Sequence, residues 1–576
     1  MAVSAALPYE IGQAPPGRRI EIDVGRCAGC QECVVRCPAG ALHLDTAAWM
    51  AAGEDERCIG CRQCERTCPF GAIAIQGSPS VPLRQRPPHR LPDPMVGSIA
   101  ETRRGLTSWE EAWAEAARCL SCPDPTCVQG CPAHNDIPAF IAAVRDGDLA
   151  RAHAVLRQTS MMPDVCSRVC DQASQCEGAC SWALAGADPV AIGLLERFVA
   201  DRAPVAPPAR PTVMGAGLER SVAVVGTGPA GLSAAWTLVE EGAHVHLFER
   251  EPEPLGVLAW GIPAFTLPPQ VARRPLEALL AAGVELTTGA DVGRHPTWAE
   301  LLDRFDAVLL AFGATIPMSL RVPGADLPWV EDATSFLRRA RHALAAGGAL
   351  ADVGAGTRVV VVGAGNTAMD VARTALRLGA RALALDWMAE AFARVRPDEL
   401  AEARAEGVEV EFLTSVTAVR EEAGQRWVEV AATRQATAFE TPRIVGPPRA
   451  VAADRVVLAM GYRVDEEVAS SLGVRLPVRR PRPGSTALPR RIMASGLAAG
   501  APALAQAVAE RDAYLELAAR PVAERVWAVG DALTGPATVV AAMAQGRRAA
   551  QALLQARPHR PARAMSTPRV GGAEMA

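Results

Sequence analysis

CAGCQECVVRCP at residues 27–38 and CIGCRQCERTCP at residues 58–69 are one pattern written twice, C-x2-C-x2-C-x3-C-P at an offset of 31 residues. Thiolates at this spacing wrap three corners of a cubane, and the fourth cysteine of each run reaches across to a second cluster. By that crossing rule Cys27, Cys30, Cys33 and Cys68 hold one 4Fe-4S cluster, and Cys58, Cys61, Cys64 and Cys37 hold the other. A zinc site or buried structural cysteines explain a single C-x2-C pair, but not two full runs each closed by a proline. Each run continues through a glycine turn into a short apolar stretch, Pro38-Ala39-Gly40-Ala41-Leu42 and Pro69-Phe70-Gly71-Ala72-Ile73. The reading is a bacterial-type ferredoxin module.

All 16 cysteines lie in the first 180 of 576 residues. A long chain with clustered C-x2-C spacing fits metal ligation in a reducing cytoplasm better than a disulfide scaffold. The start carries no signal-peptide pattern and no apolar run is long enough to span a bilayer. The formal charge of −4 offers no basic field for nucleic acid. The chain has no lysine, which excludes a P-loop, a Schiff-base lysine and a pyridoxal-phosphate site.

The length suggests roughly four domains, and the expected class is multidomain α+β and α/β. The expected parts are a ferredoxin-like domain over 1–78, a Pro- and Arg-rich linker over 79–95, and a helical iron–sulfur domain over 96–205. Ile137-Pro138 and Asp148 read as helix starts within the third part, and APVAPPARP (203–211) reads as a second link. From Ser221 the grammar changes: VAVVGTGPAG (222–231) and VVVVGAGNTAMD (359–370) each run an apolar strand into a glycine turn and a helix. Two Rossmann-like dinucleotide-binding domains follow, one over 218–330 completed by 466–556, the other inserted as 331–465, with a tail at 557–576. No function is legible in the long stretch 466–525.

Gly226, Gly228, Pro229, Ala230 and Gly231 let backbone amides approach a pyrophosphate at a helix N-terminus, and Glu249 ends the next strand, placed to accept from ribose hydroxyls. Gly363, Gly365, Asn366 and Thr367 repeat the design, with Asp386 in the acid's place.

The wording around the remaining cysteines carries a family resemblance. RCLSCPDPTCVQGCPAHNDIPAFI (118–141), SRVCDQASQCEGAC (167–180) and DPVAIGLLERFVAD (188–201) resemble the helical iron–sulfur domain of the glutamate synthase small-subunit family. The resemblance runs over residues 100–555. It implies one cluster on Cys119, Cys122, Cys127 and Cys180 and another on Cys131, Cys170 and Cys176, with Glu196 as a non-cysteine fourth ligand. Cys166 is then left over, a buried small hydrophobe or an alternative to Glu196. The resemblance also implies FAD at the first dinucleotide site, with Gly256 and Leu258 near it. Gly530-Asp531 would contact the ribityl chain, and the helix starting near Thr538 would point at the flavin. Leu255 stands where the family has glycine. At the second site NADPH-using relatives carry a Tyr-Arg-Arg stretch where this chain has Asp386-Trp387-Met388, which favours NADH, although Arg394 and Arg396 follow and are candidates for a 2′-phosphate.

No acid, base or nucleophile is required for hydride transfer to a flavin, so no catalytic residue is assigned. The expected protein is an NAD(P)H-dependent iron–sulfur flavoprotein moving electrons to or from a partner. That partner is a glutamate synthase large chain, a 2-oxoacid oxidoreductase or a ferredoxin. The rival reading is a non-catalytic iron–sulfur scaffold subunit with a degenerate nucleotide site.

Overall fold

The computed structural model describes residues 19–76, 100–184, 187–203, 205–210, 220–437, 440–471, 476 and 501–556. The expected linker at 79–95, the tail at 557–576, residues 204 and 211 of the second link and most of 472–500 lie outside them.

In the first module strand Arg19–Ile22 pairs antiparallel with Ile73–Gln76, and Leu42–Asp45 pairs with Met50–Gly53. The cysteine runs lie between these strands, each with a one-turn helix, Glu32–Val35 and Gln63–Thr67. The module's own apolar core is little more than Leu42, Ile73 and Ile75 packed against Cys33 and Cys64. A fold this small does not stabilise itself by burial alone, and metal clusters are the usual supplement.

Residues 109–202 are a stack of short helices whose ends the sequence specifies. Ser108 and Glu111 form a reciprocal cap on Trp109–Ala116, Asp136 caps Ile137–Arg145, and Asp148 caps Leu149–Arg157. Ile192–Arg202 is the buried centre of the stack.

The six-stranded sheet of the first dinucleotide domain runs Pro521–Ala523, Val526–Ala528, Ala307–Leu310, Ser221–Val225, His244–Phe248, Glu285–Thr287. All pairings but that of Pro521–Ala523 with Val526–Ala528 are parallel, so the chain returns after residue 500 to complete a sheet begun at Ser221. The second domain has five parallel strands in the order Val330–Asp332, Arg455–Leu458, Arg358–Val362, Arg381–Leu385, Glu409–Glu411. Antiparallel strands Thr414–Glu422, Gln425–Arg434 and Arg449–Ala452 pack beside it. Among the described residues no helix is long and apolar enough to cross a membrane.

Candidate functional site

Three of the candidate cluster sites are cavities that short turns ring with four thiols. Cys27, Cys30, Cys33 and Cys68 line one cavity of the ferredoxin module, and Cys37, Cys58, Cys61 and Cys64 line another. Gly29 and Gly60 bend the two C-x2-C turns with positive φ. A third cavity is lined by Cys119, Cys122, Cys127 and Cys180. Burial, reinforced by neighbouring thiolates, pushes Cys33 up to about 11 and Cys61 and Cys122 up to about 12. Crowded thiols of this kind favour a shared cation among them. Among the described residues no group of three His, Cys, Asp or Glu closes on a single metal ion. A cubane does not ask for that, because its four thiolates bind four different irons.

The fourth site is less regular. The Glu196 carboxylate acts electrostatically on Cys131, Cys170 and Cys176 alike. Burial, then Asp164, pushes its own carboxyl up to about 8, and its Oε1 is buried without a hydrogen-bond partner. A buried orphan acceptor facing three thiols is the donor set a cluster would satisfy. Cys166 is also buried; its hydrogen bond to Cys170 is the largest cause raising that thiol, and Ser160 Oγ donates to its Sγ at 3.9 Å.

At the first glycine turn, strand Ser221–Val225 passes through Gly226 at φ 106° into helix Pro229–Glu240. Side chains at Gly226 and Gly231 would collide with backbone, whereas the space over Gly228 is open. Glu249 Oε2 accepts from Thr227 N at 3.1 Å and Thr227 Oγ1 at 2.5 Å, and Oε1 accepts from Glu251 N at 3.0 Å. Two distant segments close on this helix end: a Cβ on Gly256 would lie 3.2 Å from Gly228 Cα, and one on Gly530 2.8 Å from Ala230 Cβ. Leu258 is buried beside Gly256. Gln545, which no sequence pattern marked, holds Gly530 N at 2.7 Å through its Oε1. Asp531 accepts from Ala537 N at 3.1 Å, and burial pushes it up to about 7. Thr538 caps helix Val539–Gln555.

The second turn copies the first. Gly363 has φ 114°, Gly365 is open, and Asn366 begins helix Asn366–Arg377 with Thr367 in its first turn. Asp386 accepts from Ala364 N at 2.9 Å and Met388 N at 2.8 Å, the place Glu249 takes at the first turn. Burial raises its carboxyl, while those two amides and Arg394 hold it down. Arg396 is not free for a 2′-phosphate, contrary to its reading as a substitute. Its guanidinium is buried, paired with Asp398 at 2.7 Å and donating to Arg168 O at 3.0 Å, while its backbone N donates to Asn366 Oδ1. The sequence shows a nearby arginine; only the tertiary structure shows it already committed.

The sites form a series. Gln175 Nε2 donates to Thr538 Oγ1 at 3.4 Å, linking the flavin-side helix to the residue before Cys176. Cys176 interacts electrostatically with Cys127, and Cys61 with Cys122. The ferredoxin module is held there by Arg66, which pairs with Asp124 at 2.5 Å and donates to Gln129 at 2.9 Å, and by Gln63 donating to Asp124 O. The stretch 466–525 also gains a role: buried Arg511 of helix Ala501–Leu515 donates to Gly130 O at 3.0 Å, and Leu504 and Ala507 pack on Ala179. The same helix lies against Gln63–Thr67, so it braces the ferredoxin module and the helical stack together.

Comparison with known proteins gives three family models. A 4Fe-4S dicluster domain matches residues 19–69, the dihydropyrimidine dehydrogenase domain II 4Fe-4S cluster matches 96–206, and pyridine nucleotide-disulphide oxidoreductase matches 220–483. The chain is 33% identical to the glutamate synthase [NADPH] small chain of Halomonas elongata, over 77% of this chain and 90% of that one. It is 29% identical to the putative oxidoreductase AegA of Escherichia coli, over 92% and 80%. It is 35% identical to an NAD-dependent dihydropyrimidine dehydrogenase subunit PreT homolog of Salmonella typhi, over 46% and 62%.

Proposed function

The chain belongs to the glutamate synthase small-chain family, and from that premise we propose the order in which its redox sites are joined. It is an iron–sulfur flavoprotein oxidoreductase that transfers electrons between NAD(P)H and a partner protein through FAD and 4Fe-4S clusters. The proposed order runs from the nucleotide turn at Gly363 to the flavin turn at Gly226. It continues to the Cys131/Cys170/Cys176/Glu196 site and then to Cys119/Cys122/Cys127/Cys180. It ends at the inner ferredoxin site on Cys61 and the outer one on Cys30. The observation that carries it is the hydrogen bond of Gln175 to Thr538, with Cys176 and Cys127, and Cys122 and Cys61, near enough to interact electrostatically.

Bound FAD supplies the exchange between a hydride pair and single electrons. The protein's part is positioning. Gly226 and Gly228 leave room for a pyrophosphate at a positive helix end, and Glu249 presents a carboxylate for the ribose. Asp531 is held almost without water beside the flavin-side helix. Asp386 favours a free 2′-hydroxyl over a phosphate, and the commitment of Arg396 removes one counter-charge, so NADH is the proposed nucleotide.

Anaerobic titration tests this. NADH is expected to bleach the flavin and then raise reduced-cluster signals in electron paramagnetic resonance, at lower concentration than NADPH. Absence of bleaching with both nucleotides would falsify the reading and leave the scaffold alternative; a strong NADPH preference removes only the nucleotide assignment. Glu196→Ala is expected to abolish or shift one cluster signal while Cys166→Ala leaves all intact, and the opposite pattern makes Cys166 the ligand. The partner is one of the three classes named above, and the cytoplasm is its place, a reading that subcellular fractionation tests.

A further inference from the structure

The inner ferredoxin site is covered by the helical stack, whereas the outer one ends in an apolar surface. Cys30 of the outer site is exposed. Around it stand Val24, Trp49 and Phe70, exposed by 69%, 59% and 48%. Phe70 borders the outer cavity itself, and the other two stand on segments that adjoin its lining. Phe70 lines it with Cys27 and Cys68, the Trp49 ring packs on Gly29 within the Cys27–Cys30 turn, and Asp23, next to Val24, donates its backbone N to Ala72 O at 2.7 Å. Trp49 takes φ 51° to close the hairpin turn between Leu42–Asp45 and Met50–Gly53, and that turn does not require an aromatic side chain left 59% exposed.

Charge and area narrow the partner. Nearby charges pair within this chain, Arg26 with Asp23 at 3.4 Å and Arg36 with Glu32 at 2.8 Å, so the patch presents little net field. Three side chains suit the small interfaces of transient redox encounters, below roughly 1,200 Å², rather than the larger area of a permanent subunit. We propose that Val24, Trp49 and Phe70 form the docking surface for a small soluble iron–sulfur electron carrier, which exchanges one electron at a time with the cluster held by Cys27, Cys30, Cys33 and Cys68. This rests on the electron-transfer reading above. In the direction of nucleotide reduction, two reduced carriers are each oxidised by one electron. The two electrons and one proton from solvent convert NAD⁺ to NADH, and the reverse direction returns them.

The test uses the full-length holoprotein and a bacterial two-cluster ferredoxin, chemically reduced and freed of reductant, with NADH formation followed by absorbance. Val24→Glu, which adds a charge at the most exposed position, and Trp49→Gly, which the left-handed backbone favours, are each expected to raise KM for ferredoxin about tenfold or more. Both are expected to weaken binding of oxidised ferredoxin in calorimetry to the same degree. NADH formation from reduced methyl viologen, a donor too small to need the patch, and the cluster resonance signals are expected to be unchanged. Ile444→Glu, at an equally exposed residue of the nucleotide domain, is expected to change nothing. KM is expected to move less than about twofold between low and physiological salt, because the rim charges are already paired. Unaltered ferredoxin kinetics and binding in both variants overturn the proposal, as does failure of the unmodified protein to accept electrons from ferredoxin while accepting them from viologen. Failure with viologen as well, and with NADH, strikes the electron-transfer reading itself.

Discussion

Asp531 has a carboxyl group almost without water, and its ordinary value of 3.8 is pushed to about 7 by burial. Between those two values the native state holds a proton that the unfolded state has released, so stability is greatest below about pH 4 and declines as pH rises to about 7. The difference between the two states amounts to about 4 kcal/mol. Asp531→Asn is therefore expected to flatten the pH dependence of the melting temperature of the flavin-free protein and to raise it at neutral pH. It is also expected to bind FAD more weakly, by about tenfold for one lost hydrogen bond to a ligand hydroxyl. A melting series across that range, with and without FAD, checks both. Leu255 is the other residue of this kind. The sequence shows a leucine where the family has glycine, and the structure gives the reason for the glycine: φ at Leu255 is 91°, in the left-handed region. The leucine persists because its side chain is buried, so packing offsets the backbone cost.

At the scale of elements, the proposed flavin site rests on two closely packed helices. Helix Val539–Gln555 meets helix Pro229–Glu240 at Gly546, where a Cβ would collide with the carbonyl oxygen of Ala230. Gly546→Val is expected to force the helices apart, lowering stability by about 1–3 kcal/mol and releasing FAD at lower temperature, as flavin fluorescence during a melt would show. The strand–turn–helix elements at both glycine turns were legible because strand hydrophobicity, glycine spacing and the following acid are local signals. Helix starts at Ile137-Pro138 and Asp148 were legible for the same reason. Helix Ala501–Leu515 was legible as an alanine-rich helix, but its place was not. Its alanine-rich composition carries no strong apolar stripe, and its place is set by single long-range contacts such as Arg511 to Gly130.

In the whole molecule, residues 102–103 join three domains. Thr102 donates its backbone N to Phe265 O at 3.0 Å and accepts from Arg373 at 3.1 Å. Arg103 pairs with Asp398 at 3.0 Å, Glu399 at 3.4 Å and Glu402 at 2.9 Å, and donates to Arg168 O of the helical stack. Arg373 and Arg377 extend the network inward to Glu406. Arginine suits such a network because its fork reaches several carboxylates at once. Arg103→Ala removes one of the cations these carboxylates share, while Glu399 and Glu402 keep Arg373 and Asp398 keeps Arg396. It is expected to cost about 1–2 kcal/mol, to appear in calorimetry as an earlier melting step of the nucleotide domain, and to slow flavin reduction by NADH. The sequence by itself determined the inventory of candidates: cysteine spacing marks thiols that share a cavity, and glycine spacing after an apolar strand marks a strand–turn–helix with open space over its middle glycine. Each such feature is written within a few tens of residues, since the chemistry constrains neighbours along the chain. Only the tertiary structure decided that Cys61 comes near Cys122, that Arg396 is already paired, and that Cys30 of the outer site is exposed. Those outcomes depend on Asp124 meeting Arg66 and Arg168 meeting Arg396. Pairings between residues so far apart have no period or spacing from which they can be read.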